Sequence, residues 1–231
     1  ILTGFDFRTM FIAVALGNLL LMGLSWFLPK TQSVEIKMAE YKDAIWQPKV
    51  LFLVFVFFLS SLHHGAEMVA YSPFLKHVLG LTMMQTGLFT GIGFIVVGIG
   101  AGLGVLLLKH KVVPNLQALL LVGFAMGGIF HILMTVNNVP LSFLFRMLHE
   151  IGDGFVFLVF FHGISRIFKV DNIGGCAAFI SLWNGIGGMA SSVFFGWMGD
   201  RWGYNWPLIV SGMVMTCIPI IVVSSRRTVM T

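Results

Sequence analysis

Charged side chains are scarce in this chain: Asp, Glu, Lys and Arg make up 10% of its 231 residues. A soluble domain carries about 25%, so a water-facing globule is excluded. The 58% hydrophobic content and a mean hydropathy of +0.95 place the chain among multi-spanning membrane proteins. Cysteine is nearly absent as well. Cys176 and Cys217 both fall in apolar runs, where they read as small packing residues and supply neither a redox nor a metal motif. Strand-like alternation is missing, which disfavours a β-barrel. No signal-peptide pattern precedes the first apolar run, and the chain opens at Ile1 rather than Met, so it reads as a piece of a longer protein.

What is present is a series of seven apolar runs, at 9–28, 50–75, 84–108, 115–136, 140–166, 173–197 and 205–225. Each is long enough to cross a bilayer as a helix. The expected fold is therefore all-α, a polytopic bundle of about seven transmembrane helices. Residues 1–28 form the first span, 29–49 a polar connection of mixed charge, and 50–231 a six-helix bundle. The sequence pI of 9.5 could suggest nucleic acid, but the charges sit in short loops between apolar runs, so no nucleic-acid partner is expected. Lys30, Lys37, Lys42, Lys49, Lys109, Lys111, Arg166, Lys169, Arg226 and Arg227 fall on one side of the bundle; Arg8, Lys76 and Arg201 fall on the other. Positive charge accumulates on the cytoplasmic face. The long loop and the C-terminus are thus expected in the cytoplasm of a multi-pass membrane protein.

The energetic anomaly is the stretch Phe145–Gly154, which holds Arg146, His149, Glu150 and Asp153 inside an apolar run. Each charge at the centre of a bilayer costs roughly 2.5–3.5 kcal/mol on insertion scales. At about 100° per residue the four side chains share one arc of about 100°, and Arg146 can pair with Glu150 four residues on. The 50–75 run carries a companion set, Ser60, His63, His64, Glu67 and Tyr71, of which all but His63 lie within about 60° on a helical wheel. Intramembrane ionisable groups usually mark substrate pathways or proton relays. Lone His131 and His162 read as packing or helix–helix hydrogen-bonding residues. Gly91, Gly93, Gly98, Gly100, Gly102 and Gly104 crowd one run and Gly185, Gly187, Gly188, Ala190 and Ser192 another; both read as close-packing faces, with Gly98 and Gly102 a small-x-x-x-small pair.

Gly4-Phe5-Asp6-Phe7-Arg8 leads into the first span much as Gly203-Tyr204-Asn205-Trp206-Pro207 leads into the last, a six-helix repeat of the kind found in duplicated transporters. The stretch from Ile186 through Gly-Trp-Met-Gly-Asp-Arg-Trp-Gly to Trp206 resembles the glycine-rich eleventh helix and following loop of the major facilitator superfamily. The 108–114 loop keeps the positive charge of that family's loop between helices eight and nine but has neither its Asp nor its Gly. The resemblance implies helices six through twelve, with an N-terminal transmembrane bundle lying outside this chain. It also implies that the 50–75 and 140–166 spans, as helices seven and ten, face a central cavity.

The expected function is secondary active transport of a small solute by alternating access, with Glu67, Arg146, His149, Glu150 and Asp153 as the substrate and proton-coupling set and Ser60, His63, His64 and Tyr71 lining the cavity. Two alternatives stand beside it. One is a transition-metal carrier using His64, Glu67, His149, Glu150 and Asp153; the other is a non-transporting membrane interaction module. No cofactor and no enzymatic activity are expected: His149-Glu150-x-x-Asp153 lacks the second histidine of a zinc-protease helix.

Overall fold

A computed structural model describes residues 7–27, 38–168 and 170–224, with side chains left undescribed at 7–11, 13, 14, 38–41, 166, 167 and 170–172. The Gly4–Asp6 part of the internal repeat, residues 29–37 of the polar 29–49 connection, and the basic C-terminal tail lie outside the described residues. The chain divides into two units, 1–36 and 37–231. The first contains one apolar helix, α1 (Phe7–Ser25).

In the second unit the order is α2 (Met38–Ile45), α3 (Pro48–Ala66), a π-helical turn (Glu67–Tyr71), α4 (Ser72–His77), α5 (Met83–Lys109), α6 (Leu116–Leu133), α7 (Val139–Ile167), α8 (Val170–Trp202) and α9 (Asn205–Ser224). The protein is an all-α bundle, and no strand occurs among the described residues. Local chemistry sets the ends. The Thr82 side chain and Gln85 form a reciprocal capping box at the start of α5. Asn115 accepts from the Ala118 amide at 2.9 Å and Asn138 from the Leu141 amide at 3.0 Å, opening α6 and α7. Gly80 (φ +68°) and Gly203 (φ +95°) supply the left-handed backbone of the two turns that follow α4 and α8.

Helix α3, the π turn and α4 run on continuously from Pro48 to His77, 30 residues or about 45 Å. Pro73 lacks an N–H and crowds the carbonyl four residues back, and the ladder widens to π spacing in the turn just before it.

Among the described residues, five helical runs are long and apolar enough to cross a membrane: 48–77, 83–109, 116–133, 173–202 and 205–224. The 29-residue α7 matches them in length but carries Arg146, Glu150 and Asp153. Exposed surfaces fit a bilayer: α5 presents Phe94, Ile95 and Ile99, and α8 presents Leu182, Met189 and Val193. The protein is a multi-pass membrane protein.

Packing does not follow chain order. Helix α7 lies against both α5 and α6, α6 also against α9, and α3 against α8 and α9. The short 110–115 connection joins α5 to α6, yet each of the two packs chiefly on α7. Close approach is made by glycines. A Cβ on Gly154 would strike the Val97 carbonyl of α5, and one on Gly152 would lie 2.7 Å from the Gly127 nitrogen of α6. On α5 the touching positions are Gly93, Gly100 and Gly104. Gly98 and Gly102 face open space, so the expected small-x-x-x-small pair is not a packing contact here. Gly187 of α8 presses on Ser61 and Phe58, whereas Gly185 is also open.

Candidate functional site

Helices α3 and α7 are not close-packed backbone neighbours. Long polar side chains fill the space between them. From α7, the Arg146 guanidinium forms ion pairs with both Glu67 and Glu150, and its carbon sits 4.1 Å from the centre of the Tyr71 ring. A second knot surrounds Asp153, whose Oδ2 is 3.2 Å from His63 Nε2, 3.6 Å from His149 Nε2 and 3.9 Å from His64 Nε2. His149 joins the two knots, because its Nε2 also lies 2.9 Å from Glu67 Oε1.

The cluster is buried at its centre. His63, His131 and His149 are wholly buried, and Arg146, Glu150 and Asp153 are buried too. Neighbouring helices make room for it with missing side chains. A Cβ on Gly93 would lie 2.7 Å from Glu150 Oε1, and one on Gly127 would lie 3.1 Å from Asp153 Oδ1. The Gly127 carbonyl accepts a hydrogen bond from His149 Nδ1 at 2.7 Å. Toward the end of the bundle holding α4, Phe74, Leu75, Met134 and Leu208 are fully buried in one apolar cluster with Tyr71.

On another side the cluster meets a cavity of about 620 Å³ among α3, α7 and α8. Ser60, His64, Met68, Asp153, Phe157, Gly188 and Ser192 are among its lining residues. His64 stands at the boundary: its side chain is 35% exposed while that of Asp153 is 5% exposed. A continuous polar path therefore runs from the cavity through His64 and Asp153 to His63 and His149, then to Glu67 and Arg146.

The structure brings together all five residues of the expected coupling set. Of the four expected cavity residues, Ser60 and His64 line the cavity, while His63 lies within the cluster and Tyr71 beneath Arg146. The helical wheel set His63 apart, yet it is the histidine nearest Asp153. His131, read from sequence as a packing or helix–helix bonding residue, belongs to the cluster: its ring centre is 4.5 Å from that of His63 and 4.8 Å from that of His149, and its Nδ1 is 3.4 Å from Glu67 Oε1. A hydrogen bond across helices accompanies this, with Ser211 Oγ 3.1 Å from His131 Nε2. His162 is exposed.

Three overlapping groups have donor atoms close enough to share a cation: His63, Glu67, His131 and His149; His63, His64 and Asp153; and His149, Glu150 and Asp153. Comparison with known proteins returns no matching family model, no matching curated protein and no matching solved structure.

Proposed function

We propose that this chain forms the C-terminal half of a secondary transporter of the major facilitator type, moving a small solute across the membrane by alternating access and coupling it to protons. The observation that carries the reading is a buried network of ionisable groups that reaches a cavity at one point. Burying ions without function is costly, since desolvation takes several kcal/mol from each, and such residues in membranes usually line transport pathways. Asp153 is the best candidate for the coupling group, because it meets the cavity and is flanked by three histidines, whereas Glu67 and Glu150 are held by Arg146. His64 would pass protons between Asp153 and the cavity. On this reading the cavity is one wall of a central pathway whose other wall is an N-terminal bundle, and the 29–49 loop and the C-terminus are cytoplasmic.

The test is reconstitution. Proteoliposomes holding the chain together with an N-terminal bundle, loaded with a pH-reporting dye, should show proton flux when a transported solute is added outside. Asp153→Asn should abolish that flux while exchange of the same solute persists. Proton flux unchanged in Asp153→Asn, Glu150→Gln and Glu67→Gln alike would overturn proton coupling. A complete absence of solute movement would favour a non-transporting interaction module.

A further inference from the structure

We infer that the cluster is a binding site for one divalent transition-metal ion, held by His63, His131, His149 and Glu67. The inference rests on reading the cluster as the functional site, but not on transport.

Hydrogen-bond partners place the imidazole protons. His149 Nδ1 faces the Gly127 carbonyl at 2.7 Å, and a carbonyl only accepts, so Nδ1 carries the hydrogen. The Ser211 hydroxyl donates to the Leu208 carbonyl at 3.2 Å, so toward His131 Nε2 it accepts, and Nε2 carries the hydrogen. His63 Nε2 faces the Asp153 carboxylate at 3.2 Å and donates to it. In the neutral rings the remaining nitrogens, His63 Nδ1, His131 Nδ1 and His149 Nε2, therefore present lone pairs. All three are buried. Two of them point toward an acceptor rather than a donor: His149 Nε2 at 2.9 Å and His131 Nδ1 at 3.4 Å from Glu67 Oε1.

Lone pairs facing a carboxylate need something positive between them. The pattern of one nitrogen anchored by a carboxylate, a carbonyl or a hydroxyl, with the other left free, is how metal-binding histidines are oriented. One donor atom from each of the four residues falls within 4.8 Å of the others. Three imidazoles and one carboxylate, with no thiolate, suit Zn²⁺, Co²⁺ and Fe²⁺ rather than the oxygen-seeking Mg²⁺ or Ca²⁺.

The charge of the surroundings favours a divalent cation. Facing the site are His63, His64, Glu67 and Tyr71 from the α3 run, His131 from α6, and Arg146, His149, Glu150 and Asp153 from α7; among the described residues α9 adds only the Ser211 hydroxyl, and α5 adds no ionisable group. Three carboxylates against one guanidinium leave two negative charges when the imidazoles are neutral. One divalent ion balances them. When the metal binds Glu67, Arg146 keeps its ion pair with Glu150.

The purified full chain, titrated with Co²⁺ and then Zn²⁺, should bind one ion and show the strong visible absorption of four-coordinate cobalt. Mg²⁺ should not compete. His131→Ala should weaken binding about tenfold or more, and Ser211→Ala about tenfold through the hydrogen bond it accepts. His162→Ala, exposed and remote, should leave binding unchanged. Helical circular dichroism checks that each variant folds, and Ser211→Ala carries the test if His131→Ala does not. The site is overturned by absent saturable binding in the folded chain, by binding unaltered in the folded variants, or by a six-coordinate cobalt spectrum. These readouts need no gradient and no second bundle. A chain that binds metal but moves nothing defeats the transport reading alone, and coupled transport without metal binding defeats this inference alone.

Discussion

Arg146 shows how a buried charge holds its neighbours in place. Its guanidinium answers two carboxylates at once and rests on the Tyr71 ring, so removing it leaves Glu67 and Glu150 facing each other without compensation. Breaking one partner from a buried ionic group costs about 3–5 kcal/mol. Arg146→Met should therefore lower the thermal unfolding midpoint sharply in detergent, and adding Glu67→Met to it should recover part of the loss. A double variant no more stable than Arg146→Met would show that the pairing contributes little. Sequence made this scale partly legible. The Arg146–Glu150 pair follows from four-residue spacing, and the shared arc of His149 and Asp153 follows from helical geometry. His131 left no such trace, because a single histidine in an apolar run looks the same whether it packs alone or meets three ionisable residues from other helices. The hydroxyl that anchors it, Ser211, lies 80 positions further along.

Elements position those side chains through the gaps between helices, and glycine decides where the gaps close. Gly152 and Gly154 sit two residues apart on α7, one against α6 and one against α5, which grips the helix from both sides at the depth of Asp153. Gly154→Val should displace α5 and destabilise the bundle, whereas Gly98→Val, at an open position, should leave the unfolding midpoint close to that of the parent. Similar losses in both variants would contradict this packing. Counting glycines in the sequence marked α5 as a close-packing helix but not which of its faces does the packing; that depends on the rotation of the helix against α7. The same holds for His63 and His64. Adjacent residues point about 100° apart, so a wheel drawn for one helix ranks them only by their own helix. The structure turns His63 to the α7 side and leaves His64 at the cavity.

At the level of the molecule, apolar run lengths predict seven spans, and among the described residues five runs satisfy both length and composition. Of the other two, α1 adds a shorter apolar run, Ala15–Ser25, and the site's charges dilute the apolar character of α7. Topology is open to direct measurement. Thr82 and Lys111 flank α5 at opposite ends, so Thr82→Cys and Lys111→Cys should react with a membrane-impermeant thiol reagent from opposite faces of sealed vesicles. Labelling of both from one face would show that α5 does not cross.

The uneven count of three carboxylates to one guanidinium also bears on voltage. His63 lies midway along the 48–77 run, so the cluster sits well inside the span where the membrane potential falls. Moving one elementary charge through the whole field changes the energy by about 2.3 kcal/mol per 100 mV. A rearrangement that carries the bare, doubly negative cluster across part of that field is driven or opposed by the potential. The same rearrangement with the two charges balanced is indifferent to it. The field then acts only on a cluster whose charges are left unbalanced.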